Sequence, residues 1–208
     1  MSKDCGHHES KRKKLYKRIG VGILIFILIV ALIILIIWAV LKPSKPSFTL
    51  QDATLYSFNL TSPVQLTTIF QVTVVARNPN DKIGIYYDRL LVYANYRNQQ
   101  ITVPTSTPPN YQDTNAVSIW SPFLQGQNVP VAPFIGAQIN GELQSGGVYI
   151  LIRLDGRVRW RVGSFISGPY HIHVTCPAFI PLGNPNVGIS VEKNAIKYQL
   201  TQDCSVSV

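Results

Sequence analysis

Four arginines alternate along one short segment, in a pattern that suits the binding of anions. Residues 153–161 read Arg-Leu-Asp-Gly-Arg-Val-Arg-Trp-Arg. If this segment is an extended strand, its arginines project from one face, and the last three stand about 6.6 Å apart. A guanidinium group offers a planar fork of donors that matches carboxylate and phosphate. We therefore predict a polyanion-binding surface formed by Arg153, Arg157, Arg159 and Arg161. The alternative is a solvated strand face that Asp155 and neighbouring strands partly neutralise.

A second group with chemical potential is the pair His171 and His173. Two residues apart on a strand, their rings would lie on the same face, about 6.6 Å from each other. A pair on one strand holds a metal ion only with a third ligand. We therefore predict ordinary surface or core histidines here, no metal site and no cofactor.

The sequence offers little for catalysis. The acidic residues of the C-terminal part are few and scattered, and no close pair of them suits general acid–base work. No G-x-S-x-G, P-loop or G-x-G-x-x-G motif is present. We predict that the protein is not an enzyme.

The elements that must position these side chains are mostly strands. Residues 148–162 alternate most clearly, with Val148, Ile150 and Trp160 on the apolar face and the arginines on the other, and Gly156 predicts a bend or bulge. Shorter alternating runs predict further strands at residues 70–77, 90–96, 118–123, 170–176 and 189–200. Short strands separated by Pro, Gly and Asn turns indicate an antiparallel β-sandwich beginning near Phe48. A short helix is predicted only within residues 130–145.

An uncharged apolar segment precedes this domain. Residues 19–41 contain no charged side chain and are long enough, at about 34 Å as a helix, to cross a bilayer. A cleaved signal peptide would have a shorter apolar region and a small-residue cleavage site, and a buried soluble helix would need a polar face. We therefore predict one transmembrane helix at residues 19–41. It is followed by a Pro-containing spacer at residues 42–47 and a folded domain at residues 48–208.

The charges on either side of this segment predict its orientation. Residues 1–18 carry seven Lys and Arg against two acidic residues, whereas residues 42–208 carry twelve against eight. The more basic flank of a membrane helix stays in the cytosol, so residues 1–18 form a cytosolic basic tail and the folded domain lies outside. Because this tail provides more than half of the net charge of +9, the basic pI does not indicate nucleic-acid binding.

This topology bears on two modifications of the outer domain. Cys176 and Cys204 are its two cysteines, and in an oxidising compartment we expect them to form a disulfide; the alternative is two buried thiols. The single N-x-S/T sequon begins at Asn59, which translocation would expose to glycosylation.

Several motifs resemble those of the plant harpin-induced-like family, which is related to the non-race-specific disease resistance protein. The most specific resemblance lies in the block at residues 76–89. Residues 123–128 resemble the phenylalanine-glutamine-glycine motif of that family. The basic strand, the late cysteines and the N-terminal anchor are further similarities. The motif residues of the block are Asn78, Pro79, Asn80, Tyr86, Tyr87 and Asp88.

This resemblance implies a late embryogenesis abundant group 2 domain, also called the water-stress and hypersensitive-response domain, with a fibronectin-III-like β-sandwich. It also implies a non-enzymatic plasma-membrane protein of plant defence, active in the hypersensitive response and in membrane–cell wall contact. Expected partners are the lipid bilayer and, outside, a cell-wall polysaccharide, anionic lipid or another membrane protein. The alternative function is membrane protection or lipid binding under abiotic stress.

Overall fold

The computed structural model describes residues 5–62, 64–181, 188–192 and 195–208. It divides into two compact units, Met1–Pro43 and Ser44–Val208. The predicted segments 1–18 and 48–208 fall partly outside the described residues.

The first unit is a single helix, α1 (Cys5–Leu41). It starts fourteen residues before the predicted transmembrane segment, because Lys, Arg and Glu of the basic tail are good helix formers that can extend an apolar helix. The side chains of Tyr16–Ile36 are exposed within the unit, and this stretch is long and apolar enough to cross a membrane. No other helix in the described part of the chain meets that criterion.

The second unit is mainly β, and every pairing among its described strands is antiparallel. Its elements are β1 (Ser47–Ser62), β2 (Gln65–Arg77), β3 (Gly84–Tyr96), β4 (Gln99–Gln100), β5 (Thr105–Ser106), β6 (Asn110–Gln112), β7 (Val117–Trp120), β8 (Phe123–Pro130), α2 (Pro133–Ser145), β9 (Gly147–Val162), β10 (Phe165–Ile166), β11 (Tyr170–Pro181), β12 (Ile189–Glu192), β13 (Ala195–Asp203) and β14 (Ser205–Ser207).

Two sheets enclose one apolar core, which confirms the predicted sandwich. The first sheet has the order β12-β13-β1-β2-β7, with β8 also on β2. The second has the order β14-β11-β9-β3-β4, with β5 and β6 on β3 and β10 on β9. Buried side chains from both sheets meet between them, Val72 and Val74 from one and Ile150 and Ile152 from the other. We call the opposite, solvent-facing side of the second sheet its outer face.

The central strand β9 follows the predicted alternation along its whole length. Ile150, Ile152 and Leu154 are fully buried, as predicted, while Trp160 is half-buried and packs against the edge of the core. The predicted bend or bulge at Gly156 is not a bulge in β9, whose register is regular there; the bulge lies in the neighbouring strand β3, between Tyr87 and Arg89.

Two other predicted elements differ in extent, and one strand was not predicted. Residues 118–123 belong to two strands, β7 and β8, which both pair with β2. Residues 189–200 also form two paired strands, β12 and β13, and residues 193–194 lie outside the described part. The long strand β1 was missed because its apolar positions do not alternate. It pairs with both β2 and β13 and carries three register shifts against β2.

The predicted short helix is present as α2. A proline occupies its first turn, where a missing N–H costs no hydrogen bond. Gly146 ends the helix with φ of 96°, a left-handed conformation that glycine adopts without a steric penalty. Ile135 and Ile139 lie on the inner side of this helix, and their side chains are buried in the core.

The cysteines of the second unit lie on neighbouring elements. Cys176 is buried on β11, and Cys204 lies between β13 and β14. Their sulfur atoms are at disulfide-bonding distance, across 28 residues of sequence. The pairing of β14 with β11 brings this C-terminal segment beside Cys176.

Candidate functional site

The outer face of the second sheet presents the charged side chains of three adjacent strands. β9 lies at its centre, with β3 on one side and β11 on the other. The four predicted arginines all project from this face of β9, and β3 adds a fifth, Arg89. Two carboxylates, Asp88 and Asp155, share the face. The surface is thus basic, but its arginines differ in what they contact.

Arg159 is held by the protein itself. Its Nε donates to Asp88 Oδ1 at 2.9 Å, and its guanidinium lies 5.6 Å from the centroid of the Tyr86 ring. Both partners are on β3, so Arg159 joins two strands. Its ion pair is partly exposed and therefore contributes little stability individually.

Arg161 is also engaged. Its Nε donates to the carbonyl of Gly163 at 3.0 Å, and its guanidinium lies 5.4 Å from the centroid of Tyr111. Tyr86 and Tyr111 pack together with centroids 4.4 Å apart, so these two rings support both Arg159 and Arg161. The proximity of both tyrosines raises the pKa of Arg161.

Asp155 organises the opposite part of the outer face. It accepts hydrogen bonds from the Tyr93 hydroxyl at 2.5 Å and from His173 Nδ1 at 2.6 Å. Burial and then the hydrogen bond to Asp155 raise the pKa of Tyr93, while nearby Arg153 acts in the other direction. Arg153 is half-buried, and its Nε is buried without a hydrogen-bond partner among the described residues.

Arg157 and Arg89 differ from these three. They stand directly opposite each other on β9 and β3, and both are exposed. His171 faces Arg157 from the other side, on β11. Within the described part of the chain, no side-chain hydrogen bond or ion pair involves any of the three. We call Arg89, Arg157 and His171 the cationic row, after its two arginines.

A bulge in β3 creates this arrangement. The register between β3 and β9 shifts between Tyr87 and Arg89, so both Asp88 and Arg89 lie on the outer face while Tyr87 and Leu90 are buried. Gly156 makes the close approach feasible, because a Cβ at that position would clash with the Arg89 carbonyl oxygen. Sequence reasoning missed Arg89. Its side chain would be assigned to a face of the sheet by the alternation along β3, and the bulge interrupts that alternation. The run Tyr-Tyr-Asp-Arg, where the alternation fails, was the available signal.

The two histidines lie side by side on the outer face. Their rings are parallel, with centroids 6.4 Å apart, close to the predicted spacing. His173 is bound to Asp155, and among the described residues no group of three potential His, Cys, Asp or Glu ligands comes together.

The motif residues Asn78 and Asn80 hold the N-terminal end of this unit. Asn78 is fully buried, donates to the carbonyls of Ile83 and Asp113, and accepts from Asn80. Asn80 in turn accepts from the Ser44 N–H at 2.7 Å and donates to the Ser44 carbonyl at 2.8 Å. We call Asn78, Asn80 and Ser44 the asparagine clamp. Pro79 between the two asparagines is exposed and completes the turn after β2.

Tyr87 and its partner are structural. Its hydroxyl donates to Gln112 Oε1 at 2.9 Å, and the Gln112 amide donates to the carbonyls of Ala76 and Ala116. Burial raises the pKa of Tyr87 strongly. This network fills the end of the sandwich next to the clamp, so these motif positions support the fold rather than bind a ligand.

Two further features complete the surface. Asn59 is exposed on β1, so its amide is accessible to a modifying enzyme. An open groove of about 320 Å³ lies between β11 and β13, lined by Pro177, Phe179, Pro181, Tyr198 and Leu200 among others.

Comparisons with known proteins agree with the motifs. Residues 73–176 match the late embryogenesis abundant protein family. The chain is 56% identical over 208 residues to NDR1/HIN1-like protein 1 of Arabidopsis thaliana, covering 99% of this chain and 100% of that protein. It is 50% identical to NDR1/HIN1-like protein 12 of the same plant, covering 100% and 99%. A solution structure of a putative late embryogenesis abundant protein aligns with 69% of this chain and 74% of its own, at 15% identity and a TM-score of 0.35.

Proposed function

Because the chain belongs to the late embryogenesis abundant family, and within it to the NDR1/HIN1-like plant proteins of stress and defence, we propose that it is a non-enzymatic, single-pass plasma-membrane protein of pathogen defence. In this proposal the domain at residues 44–208 lies outside the cell and acts as a binding module. The observation that carries the binding role is the outer face, where five arginines stand against two carboxylates.

The membrane topology rests on α1 and its flanking charges. An exposed apolar stretch at Tyr16–Ile36 follows a cluster of Lys and Arg, which favours a cytosolic N-terminus. Protease added to intact protoplasts should degrade the C-terminal domain and spare an N-terminal epitope tag. Protection of both ends would reverse the proposed orientation. In the same cells, N59Q should remove any mass shift that a glycosidase removes from the wild type; a wild type without that shift would exclude glycosylation of Asn59.

The defence role is tested in the plant. Plants without the protein should show weaker restriction of an avirulent bacterium, and the wild-type gene should restore it. The proposed partners outside the cell are a cell-wall polysaccharide, anionic lipid or another membrane protein, and pull-down with the full-length protein distinguishes them. Nucleic acid is not a proposed partner, since most of the charge excess lies in the N-terminal tail.

A second candidate function is membrane protection or lipid binding under abiotic stress, which the groove between β11 and β13 favours. Its lining is mostly apolar, but at about 320 Å³ it is at the small end of ligand sites. Unchanged pathogen resistance together with lower drought survival would favour this function over defence.

A further inference from the structure

The cationic row contains an arrangement that folding alone does not favour. Arg89 and Arg157 are directly opposed on neighbouring strands, where like charges destabilise the pairing. The side chains of such a pair stand only about 5 Å apart at Cβ. His171, opposite Arg157 on β11, adds a third nitrogen-bearing side chain to the same line across the sheet.

The nearby acids do not relieve this repulsion. Asp88 is adjacent to Arg89 in sequence, yet its carboxylate accepts two hydrogen bonds from Arg159. Asp155 is two residues before Arg157, yet it is taken by Tyr93 and His173. Among the described residues, neither Arg89 nor Arg157 thus has a carboxylate hydrogen-bonded to its guanidinium, and an external anion would supply one.

We infer that the cationic row is a binding site for the carboxylate groups of an acidic polysaccharide. Two guanidinium forks can converge on one carboxylate through charge-assisted hydrogen bonds, and His171 extends the line of donors to the next group of a linear polymer. This inference rests on the proposed extracellular position of the domain. A membrane is the less favoured occupant, because anionic lipids are concentrated in the cytoplasmic leaflet.

The test uses the full-length protein in nanodiscs of uncharged phosphatidylcholine, titrated with polygalacturonate at low and at high salt. R89Q/R157Q should weaken binding by about tenfold or more, since hydrogen bonds between charged groups are lost. R89K/R157K keeps both charges but loses the forks, and should recover only part of the affinity. Wild-type binding should fall as salt is raised.

K45Q/R77Q is the matched control, because it removes the same total charge from exposed positions before β1 and on β2, away from the outer face. It should change affinity by less than about twofold under the same conditions. An equal loss of affinity in both double variants would show that binding is general charge attraction, and it would contradict the proposed site. The melting temperature of R89Q/R157Q should be unchanged or higher than that of the wild type, because a repulsion is removed; a large decrease would assign the pair a structural role instead.

Two further arms test the class of ligand. A neutral galactan should not bind, and vesicles with anionic lipid should bind more weakly than polygalacturonate. Arginine-dependent binding to vesicles alone, or no binding of polygalacturonate by the wild type, would overturn the inference. Neither result would refute the proposed function, which the protease and resistance experiments decide independently.

Discussion

Single arginines on one strand face have different tasks, and their contacts separate them. Arg159 and Arg161 bind an aspartate, a carbonyl and two tyrosine rings, so they contribute to the cohesion of β3 and β9. Arg157, two residues from Arg159, has none of these contacts. Residues of the same type on one strand face therefore differ in whether the sheet itself engages their side chains.

This difference in contacts predicts that Arg→Gln lowers the stability at position 159 but not at position 157. R159Q removes a partly exposed ion pair and a cation–π contact, and should lower the free energy of unfolding by about 1 kcal/mol. R157Q should leave it within about 0.5 kcal/mol of the wild type. Urea unfolding of both variants is the measurement, and equal destabilisation would show that the contacts of Arg159 are not stabilising.

At the same scale, the buried hydroxyl of Tyr87 predicts a stability that falls in alkali. Burial raises the pKa of Tyr87 in the folded state, so above about pH 10 the unfolded chain loses the proton first and is favoured. Stability should therefore be intact below pH 10 and decrease by up to about 1.4 kcal/mol per pH unit above it from this group. Other tyrosines with raised pKa values, such as the buried Tyr198, add to the decrease.

Y87F should reduce the slope of stability against pH between 10 and 12, and Y149F, on an exposed ring, is the matched control. Denaturant unfolding at each pH gives both slopes. The same slope in Y87F and wild type would show that Tyr87 does not titrate in this range.

Among the elements, the bulge in β3 and the glycine opposite it determine the outer face. An alanine at position 156 would place its Cβ against the Arg89 carbonyl and the Leu90 side chain. G156A should cost about 1–3 kcal/mol, because either strand must shift. G168A is the control, since a Cβ there meets no atom within 4 Å. Thermal unfolding compares the two, and similar melting temperatures would mean that the bulge adapts freely.

Element by element, sequence reasoning succeeded where the polypeptide is regular. The alternation in β9 predicted its faces, and a short helix was predicted within residues 130–145, where α2 lies. It failed at β1, whose register shifts break the period of two, and at Arg89, whose orientation depends on a bulge between two distant strands. The partners of Arg159 and Arg161 were equally inaccessible, because Asp88, Tyr86 and Tyr111 come together only through strand pairing.

In the molecule as a whole, the pair Cys176 and Cys204 connects the C-terminal segment to β11 of the second sheet. If Cys176 and Cys204 form their disulfide, C176A/C204A should lower the free energy of unfolding by about 3–4 kcal/mol, through the loss of a loop constraint in the unfolded chain. Thiol titration of the denatured, unreduced protein should then find one free thiol, that of Cys5; three would contradict the bridge. C5A is the control variant and should retain wild-type stability.

The asparagine clamp has a mechanical consequence. A pulling force applied through the spacer reaches this domain at Ser44, which is hydrogen-bonded to Asn80, and then acts on β1. This strand is hydrogen-bonded to β2 on one side and to β13 on the other. A load along the axis of β1 acts on these ladders in shear, so many hydrogen bonds must yield together instead of opening one at a time. Resistance to such a load is a property of the unfolding rate rather than of equilibrium stability. In the proposed topology, this arrangement lets the domain bear tension while it holds the proposed polymer.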